Sequence, residues 1–247
     1  MAALQGKMAV VTGGSRGIGR AIVERLARDG AEVVFTYASN AGAAAEVEET
    51  VKAEDGAAHG IQADLGEPGS AERVMERAAE LLGALDIVVN NAAATFTPAP
   101  IAETGDELFD RVMTVNARSA FVIIRYAARH LRDGGRIVNI STLNTARPAP
   151  GIAPYAASKG ALEQLTAVAA QELGPRGVTV NTVSPGATDT DLLRATNPAD
   201  RLRMVSAITP LRRVGQPSDV ADVVAFLAGP DGRWVTGQNI LATGGLV

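Results

Sequence analysis

Short apolar runs alternate along the chain with longer stretches in which apolar residues recur every three or four positions. The short runs predict buried strands, and the longer stretches predict amphipathic helices. The strands are expected at 8–12, 32–36, 57–62, 85–89, 136–140, 178–183 and 238–242, and the helices at 17–29, 41–54, 70–82, 104–131, 154–174 and 217–228. Strands that alternate with helices form right-handed crossover units and a parallel sheet. The pattern therefore predicts an α/β fold, a doubly wound, seven-stranded parallel sheet with helices on both faces, in a single domain over 1–247.

Local signals support several of the predicted helix ends. Thr104 and Glu107 have the spacing of a capping box. Gly30 is placed to end the first helix, and Pro154 and Pro217 suit first-turn positions. In such a sheet, ligands bind beyond the carboxyl ends of the strands, where the strand order reverses. The residues that follow each strand are therefore the first candidates for a functional site.

Composition limits the functions that the chain can have. It contains 247 residues, no cysteine and two histidines, which excludes disulfides and thiol catalysis and gives no basis for a metal site. The formal net charge of −4 gives no electrostatic reason to bind nucleic acid or an anionic membrane. The sequence has neither a secretory signal nor an apolar stretch of membrane-spanning length. We therefore expect a soluble cytoplasmic protein whose partner is a small molecule.

A glycine-rich turn, TGGSRGIG at 12–19, follows the first predicted strand and leads directly into a helical pattern. Glycines let the backbone approach a pyrophosphate, whose charge is favoured by the free N–H groups at the helix N-terminus. The turn differs from the common G-x-G-x-x-G spacing, and a purely structural turn is the alternative. The residues expected to bind the phosphates of a dinucleotide are Gly13, Ser15, Arg16, Gly17, Ile18 and Gly19.

The end of the second strand predicts which dinucleotide binds. A carboxylate about 20 residues beyond the glycines would accept hydrogen bonds from a free ribose 2′-hydroxyl, but none occurs between Glu32 and Glu46. A 2′-phosphate would meet no like charge there and would pair with Arg16 and nearby hydroxyls. We therefore predict NADP(H) as the cofactor, although Arg16 is alternatively a solvated surface residue. The residues of this strand end expected to contribute are Thr36, Tyr37 and Ser39.

Tyr155 and Lys159 lie four residues apart at the start of a predicted helix, so they project from the same helix face. A nearby ammonium and the positive end of a helix both favour the phenolate, so we expect a pKa for Tyr155 below the usual value of about 10. A lowered pKa makes tyrosine a usable acid in reduction and a usable base in oxidation. Alone, this spacing is common on helix surfaces that have no catalytic role.

Together with the motifs around it, this pair gives the chain a resemblance to the short-chain dehydrogenase/reductase family over essentially its whole length. The matching segments are TGGSRGIG at 12–19, DL at 64–65, NNA at 90–92, the asparagine of TVNA at 114–117, NIST at 139–142, YAASK at 155–159 and SPGATDT at 184–190. Within the family, the chain most resembles 3-oxoacyl-carrier-protein reductases and related polyketide or sugar reductases. The resemblance implies a Rossmann-type fold and an NADP-dependent enzyme that interconverts C=O and CH–OH groups.

The resemblance also implies roles for individual residues. Tyr155 would exchange the proton, Lys159 would hold the nicotinamide ribose, and Asn116 would support a water-linked proton relay. The alternative for Asn116 is a helix-kink residue that bonds to the backbone. Asp64 would contact the adenine, and Thr190 would bond to the nicotinamide carboxamide. All residues implied to line the cofactor, besides the glycine turn and the second strand end, are Asp64, Leu65, Asn91, Ala92, Ala93, Tyr155, Lys159, Pro185, Gly186, Thr188 and Thr190.

Two residues depart from the family pattern. Thr142 stands thirteen residues before Tyr155, where the family has a serine, and Ala93 stands where it usually has a glycine. A threonine still donates a hydrogen bond to a carbonyl oxygen, but its methyl restricts χ1 and takes space beside the substrate. Ser141 is adjacent, yet alternation along an extended segment directs it to the other face. We expect Thr142 to polarise the substrate.

These residues predict an NADPH-dependent oxidoreductase that reduces a ketone to a secondary alcohol, with Asn116, Thr142, Tyr155 and Lys159 as its catalytic residues. The substrate would be a 3-oxoacyl thioester on CoA or a carrier protein, a polyketide-like compound or another small carbonyl. Two alternatives stay open. One is an alcohol dehydrogenase working in the oxidative direction, and the other is a non-catalytic dinucleotide sensor that kept the fold.

The segment 191–210 is predicted to form a lid over the substrate. Arg194, Arg201 and Arg203 lie there among apolar residues, which permits an anionic substrate or, alternatively, a solvated amphipathic helix. The helical segments 104–131 and 154–174 and the tail 237–247 resemble those that join subunits in the family. That resemblance implies a homotetramer.

Overall fold

The computed structural model describes residues 2–196 and 199–246, which form one sheet of seven parallel strands. The strands are β1 (Met8–Val11), β2 (Glu32–Tyr37), β3 (Ala57–Gln62), β4 (Ile87–Asn90), β5 (Arg136–Ile140), β6 (Thr179–Pro185) and β7 (Asn239–Ala242). Their order across the sheet is β3-β2-β1-β4-β5-β6-β7, and neighbouring strands pair in parallel. The predicted doubly wound α/β fold is confirmed, and each predicted strand end lies within two residues of the observed one.

Helices connect the strands and cover both faces of the sheet. In the described part of the chain they are α1 (Gly17–Arg28), α2 (Ala41–Ala53), α3 (Ser70–Leu82), α4 (Asp106–Met113), α5 (Ser119–His130), α6 (Ala153–Leu173), α7 (Asp191–Thr196), α8 (Ala199–Ile208) and α9 (Pro217–Ala228). Gly30, with a φ of +99°, follows the end of α1, and Pro217 is the first residue of α9, as the sequence predicts. No helix within the described ranges combines the length and apolar character needed to cross a membrane.

Alternation along the strands directs side chains into two cores, one on each face of the sheet. In β1, Ala9 and Val11 belong to the core that contains residues of α1, α2 and α9, whereas Val10 belongs to the core with α3, α5 and α6. Successive side chains of a strand point to opposite faces. Because helices cover both faces, β1 and β4 at the centre of the sheet are apolar at nearly every position. This is why short continuous apolar runs predict these strands correctly.

The predicted single helix over 104–131 is wrong in its details. It divides into α4 and α5, which a π-helical turn (Thr114–Arg118) connects. The predicted capping box also fails, because α4 begins only at Asp106 and the Thr104 hydroxyl donates to the carbonyl of Pro100 at 3.0 Å. A turn of five residues keeps the apolar face continuous, so the periodicity does not reveal it. Such turns often occur at functional sites, and this one contains Asn116.

The sheet has its reversal of strand order at β1, whose neighbours are β2 on one side and β4 on the other. A crevice opens at such a point, beyond the carboxyl ends of the strands. The glycine turn after β1 and the Asn-Asn-Ala segment after β4 both lie there. The fold thus places the motifs found in the sequence at one edge of the sheet.

Candidate active site

Hydrogen bonds from both neighbouring strands fix the glycine turn after β1. The N–H of Gly13 donates to the Thr36 hydroxyl at 3.0 Å, and the N–H of Gly14 donates to the Thr36 carbonyl at 2.8 Å. From the other side, the Asn91 amide nitrogen donates to the carbonyls of Thr12 and Gly13 at 2.9 and 3.0 Å. The turn is therefore held in one shape before any ligand binds.

Two features of the turn require glycine. Gly13 and Gly17 have φ values of +68° and +53°, a region that other residues rarely adopt. A β-carbon on Gly19 would lie 2.0 Å from the Gly13 carbonyl oxygen, so the start of α1 packs directly on the turn. The first turn of α1 contains no acidic residue, and its N-cap residue, Arg16, makes no side-chain cap. The N–H groups at the start of α1 and the positive end of its dipole are thus available to a phosphate.

The remaining residues at this end of the crevice divide between the core and the surface. Ile18 packs against the first core, so its contribution to a phosphate site is its backbone N–H. Thr36 is only 2% exposed and holds the glycine turn, whereas Ser39 and Arg16 are exposed. Tyr37, the last residue of β2, and Ser15 are half-buried. The strand end carries no carboxylate, which fits a 2′-phosphate, and exposed polar side chains near it include Ser39 and, from the glycine turn, Arg16.

Asp64, directly after β3, has a partner that the sequence did not predict. Its carboxylate accepts hydrogen bonds from the Gly66 N–H at 2.8 Å and from the Arg111 guanidinium at 3.0 and 3.1 Å. The backbone bond from Gly66 and the charge of Arg111 hold the pKa of Asp64 below its usual value. Leu65 is buried in the second core. Asp64 is therefore an ionised acceptor at the edge of the crevice.

The segment after β4 continues the crevice. The N–H groups of Asn91 and Ala92 both donate to the Thr12 hydroxyl at 3.0 Å. Ala93, which replaces the usual glycine of the family, is exposed.

Tyr155, in the first turn of α6, lies at the centre of the site. Its hydroxyl is hydrogen-bonded to Thr142, and its ring stacks on Phe96 with 5.4 Å between ring centroids. Burial raises the pKa of Tyr155, and the bond to Thr142 acts in the opposite direction with a smaller effect. The predicted lowering of this pKa is therefore wrong, because desolvation of the phenolate outweighs the stabilising groups. Tyr155 is protonated at neutral pH.

Lys159 is buried beside Tyr155, and the side chain is 2% exposed. Its ammonium donates to the carbonyl of Ile140, the last residue of β5, at 2.7 Å and lies 6.0 Å from the centroid of the Tyr155 ring. Burial lowers the pKa of Lys159 to about 8, and the charge of Glu163 raises it in part. The lysine is therefore close to its tyrosine, as predicted, and titrates near physiological pH.

Burial of Lys159 should make the stability of the protein depend on pH. The pKa of Lys159 is about 8 in the folded chain and about 10.4 in an unfolded one. Between these values the unfolded state binds more protons, so stability rises with pH across this window. Between pH 7.5 and 9.5, the free energy of unfolding of the wild type should rise by about 2 kcal/mol more than that of Lys159→Met.

Urea denaturation at the two pH values measures this difference. Lys52→Met, at an exposed lysine of α2, is the matched control and should follow the wild type. Equal pH dependence in the wild type and in Lys159→Met would contradict the expected cost of burying the charge.

Asn116 lies in the π-helical turn between α4 and α5 and is buried. Its side-chain oxygen accepts the N–H of Ala94 at 2.8 Å, and its side-chain nitrogen donates to the Ser158 hydroxyl at 3.0 Å. Ser158 in turn donates to the Tyr155 carbonyl at 2.8 Å. Asn116 therefore joins the segment after β4 to the tyrosine helix, and its bond to the backbone agrees with the alternative that the sequence left open.

The two neighbouring hydroxyls after β5 have different partners, as expected. The Ser141 hydroxyl donates to a carboxylate oxygen of Glu163 at 2.6 Å, whereas Thr142 bonds to Tyr155. The Thr142 oxygen also accepts the N–H of Asn144 at 3.3 Å. Thr142 is thus the hydroxyl that adjoins the tyrosine.

The residues after β6 close the far side of the crevice. The N–H of Gly186, which follows Pro185, donates to the Ala242 carbonyl, and the Thr188 hydroxyl donates to the Gly186 carbonyl at 3.1 Å. Thr190 accepts the N–H of Leu193 at 3.2 Å at the start of α7. A β-carbon on Gly17 would lie 3.1 Å from the Thr190 methyl, so this segment meets the glycine turn.

The segment 191–210 forms α7 and α8, except for residues 197 and 198 and the side chains of Leu192, Ala195, Thr196 and Ala199, which lie outside the described part of the chain. Two of its arginines are paired. Arg194 forms two hydrogen bonds with Asp189, at 2.6 and 2.7 Å, and Arg203 contacts Asp200. Met204 and Ile208 are 69% and 59% exposed. The segment thus presents apolar side chains, and two of its three arginines are paired with carboxylates, one within the segment and one directly before it.

Comparison with known proteins agrees with this geometry. A family model described as enoyl-(acyl carrier protein) reductase matches residues 13–247. The chain is 41% identical to versicolorin reductase of Emericella nidulans, over 98% of this chain and 96% of that protein. A short-chain dehydrogenase from Burkholderia cenocepacia, solved in complex with NADP, has a TM-score of 0.92 at 44% identity over 98% of both chains. A blue fluorescent protein from a metagenomic library, solved in complex with NADPH, also has a TM-score of 0.92 at 44% identity over 98% of both chains. The chain belongs to the short-chain dehydrogenase/reductase family, and it is an oxidoreductase.

Proposed function

We propose that the chain is an NADP(H)-dependent reductase that converts a ketone to a secondary alcohol. The observation that carries this proposal is the position of Tyr155, which lies beside Thr142 and has its ring centroid 6.0 Å from the buried Lys159 ammonium, at the strand-end crevice that contains the glycine turn. The relationship to versicolorin reductase favours the reductive direction over the oxidative alternative.

The glycine turn and the N-terminus of α1 would hold the pyrophosphate in this proposal, and Arg16 and Ser39 would bind the 2′-phosphate. Asp64 would accept a hydrogen bond from the adenine, and Thr190 would hold the carboxamide. NADPH supplies the hydride that reduces the carbonyl carbon. The absence of a carboxylate after β2 supports NADP(H), as do the NADP and NADPH complexes of the two related structures.

Four side chains would act on the substrate and its proton. Thr142 and Tyr155 bind the carbonyl oxygen, and Tyr155 donates its proton to that oxygen. Lys159 holds the nicotinamide ribose and, with Asn116, returns a proton to Tyr155 through a water-linked relay. Asn116 is also the residue that fixes the position of the tyrosine helix, through Ser158.

A panel of ketones with NADPH tests the proposal directly. β-Keto thioesters, cyclic ketones and quinones cover the three substrate classes, and oxidation of NADPH is followed by its absorbance. Turnover with any of them supports a reductase. Tight NADPH binding without turnover would favour the alternative of a non-catalytic sensor, and turnover only of alcohols with NADP would favour a dehydrogenase.

We further propose that 191–210 closes over an apolar substrate of the polyketide type. The paired arginines and the exposed Met204 and Ile208 favour an apolar ligand over an anionic one. The relationship to versicolorin reductase supports this choice of class. In the panel, cyclic ketones and quinones should therefore have higher kcat/KM than thioesters.

We also propose a cytoplasmic homotetramer. Phe109 and Phe121 on α4 and α5 are 44% and 45% exposed, and Trp234 before β7 is 96% exposed, so two separate faces carry large apolar side chains that another subunit would cover. Light scattering should give four times the chain mass of 25.4 kDa. A monomer at micromolar concentration would contradict the proposal.

Arg16→Ala should reduce the preference for NADPH over NADH. A charged hydrogen bond to a 2′-phosphate contributes about 1.5 to 3 kcal/mol, so kcat/KM for NADPH should fall about tenfold to a hundredfold while that for NADH stays the same. Arg28→Ala, at the other end of α1, is the matched control. An unchanged ratio of the two kcat/KM values would identify Arg16 as a solvated surface residue.

Thr142→Ala should lower kcat about a hundredfold, because the substrate oxygen loses one of two hydrogen-bond donors. Ser141→Ala, the matched neighbour, should lower kcat less than fivefold because its hydroxyl bonds to Glu163 instead of Tyr155. Steady-state kinetics with the best ketone measures both. The reverse order of effects would assign the polarising role to Ser141.

A further inference from the structure

The carboxylate of Glu163 lies one helical turn beyond Lys159 on α6, and the proposed mechanism does not use it. One of its oxygens accepts hydrogen bonds from the Ser141 hydroxyl at 2.6 Å and from the Thr145 hydroxyl at 2.7 Å. Both distances are short, as is typical of hydroxyls that donate to an ionised carboxylate. Three polar side chains from two separate segments therefore meet behind the catalytic residues.

The two hydroxyls lie on either side of Thr142 in the chain. Ser141 precedes it, and Thr145 ends the short 3-10 turn (Leu143–Thr145) that follows it. The Thr145 hydroxyl also lies 2.9 Å from the Thr142 carbonyl, but it has one hydrogen, and the carboxylate is the nearer and more strongly accepting partner. Glu163 thus ties both ends of the segment that carries Thr142 to the helix that carries Tyr155.

The same carboxylate acts on the charge of Lys159. The groups in contact with that ammonium are the Ile140 carbonyl of β5 and the Tyr155 ring of its own helix, and neither is charged. Glu163 is the charged group that favours the ammonium form, and it acts against the burial of the lysine. Removing the carboxylate would leave the ammonium without that compensation.

We propose that Glu163 is a positioning residue that fixes the Thr142 hydroxyl against Tyr155 and whose carboxylate, one helical turn from Lys159, acts on that ammonium. The inference deepens the proposed reductase function and, in its effect on turnover, rests on it. The two effects of Glu163 are separable, because the hydrogen bonds depend on Ser141 and Thr145, whereas the effect on Lys159 depends on the charge.

NMR tests the effect on Lys159 without substrate or cofactor. The chain contains three lysines, so a spectrum of protein labelled with ¹³C at lysine Cε shows three side-chain signals, and Lys159→Met identifies the relevant one. In Glu163→Gln, which keeps the shape of the side chain, the titration midpoint of Lys159 should fall by about one pH unit. Glu172→Gln, at an exposed glutamate of the same helix, should leave it unchanged.

Kinetics tests the effect on Thr142. Glu163→Gln should lower kcat about tenfold and should move the alkaline limb of the kcat/KM profile to lower pH by the amount seen in the NMR titration. The double variant Ser141→Ala/Thr145→Val, which keeps the carboxylate, should lower kcat similarly without moving the Lys159 midpoint. It also tests the hydrogen bonds if Glu163→Gln does not fold.

An unchanged Lys159 midpoint in Glu163→Gln would overturn the effect on charge, and a wild-type kcat in the double variant would overturn the effect on Thr142. If the wild-type protein fails to oxidise NADPH with every ketone of the panel, the proposed function is refuted. The NMR titration would still decide whether Glu163 acts on the charge of Lys159.

Discussion

Replacing Tyr155 by phenylalanine is expected to lower kcat for ketone reduction about a thousandfold. General acid catalysis contributes factors of about 10² to 10⁴, and the substitution removes only the hydroxyl that bonds to Thr142. The ring of the new side chain still stacks on Phe96, so the packing of the site is retained. Steady-state kinetics at saturating NADPH, with the best ketone of the panel, measures the loss.

The result is informative only if the variant still folds and still binds its cofactor. The melting temperature should therefore stay within a few degrees, and the Kd of NADPH from fluorescence titration should stay within about threefold. Tyr126→Phe, at a tyrosine of α5 that packs on His130, is the matched control and should keep wild-type kcat. If Tyr155→Phe keeps more than a tenth of the wild-type kcat, another group donates the proton.

The sequence predicts the central strands β1 and β4 well because burial on both faces makes each of them an apolar run. It predicts the location of the site for a related reason. In a parallel sheet the residues that follow the strands lie at one edge, so Asn91 meets the glycine turn although the two are distant in the chain. The π-helical turn around Asn116 is a feature that the sequence does not predict. One additional residue in a helical turn leaves the apolar periodicity almost unchanged.

The chemistry of the site was less predictable than its location. The spacing of Tyr155 and Lys159 establishes that they share a helix face, but it does not establish how deeply they are buried. Burial decides both pKa values, raising that of the tyrosine and lowering that of the lysine. The direction of the tyrosine shift was predicted wrongly for this reason, since desolvation depends on packing from several elements.

Two charged residues of the site were missed altogether. Arg111 reaches Asp64 from a helix 47 positions away in the chain, and no local pattern indicates such a pair. Glu163 differs, because it lies four residues after Lys159 on the same helix face, and this spacing was a usable signal.

Gly19→Ala is expected to raise the Kd of NADPH about a hundredfold. A β-carbon at this position would lie 2.0 Å from the Gly13 carbonyl oxygen and 2.5 Å from the Asn91 amide nitrogen. The Gly13 carbonyl belongs to the backbone of the glycine turn, which hydrogen bonds with Thr36 and Asn91 hold in place. The β-carbon therefore fits only if the turn itself moves. Steric overpacking of this kind costs about 1 to 3 kcal/mol, and 3 kcal/mol corresponds to roughly a hundredfold in affinity.

Isothermal titration of NADPH into the purified variant measures the change, and circular dichroism establishes that the sheet is intact. Gly160→Ala is the matched control, because a β-carbon there has no protein atom within 4 Å. Since Gly160 lies inside α6, its replacement should stabilise the fold by about 0.5 to 1 kcal/mol and leave the Kd unchanged. Wild-type affinity in Gly19→Ala would mean that the phosphates do not bind at the start of α1, because a displaced turn could not present the same N–H groups to them.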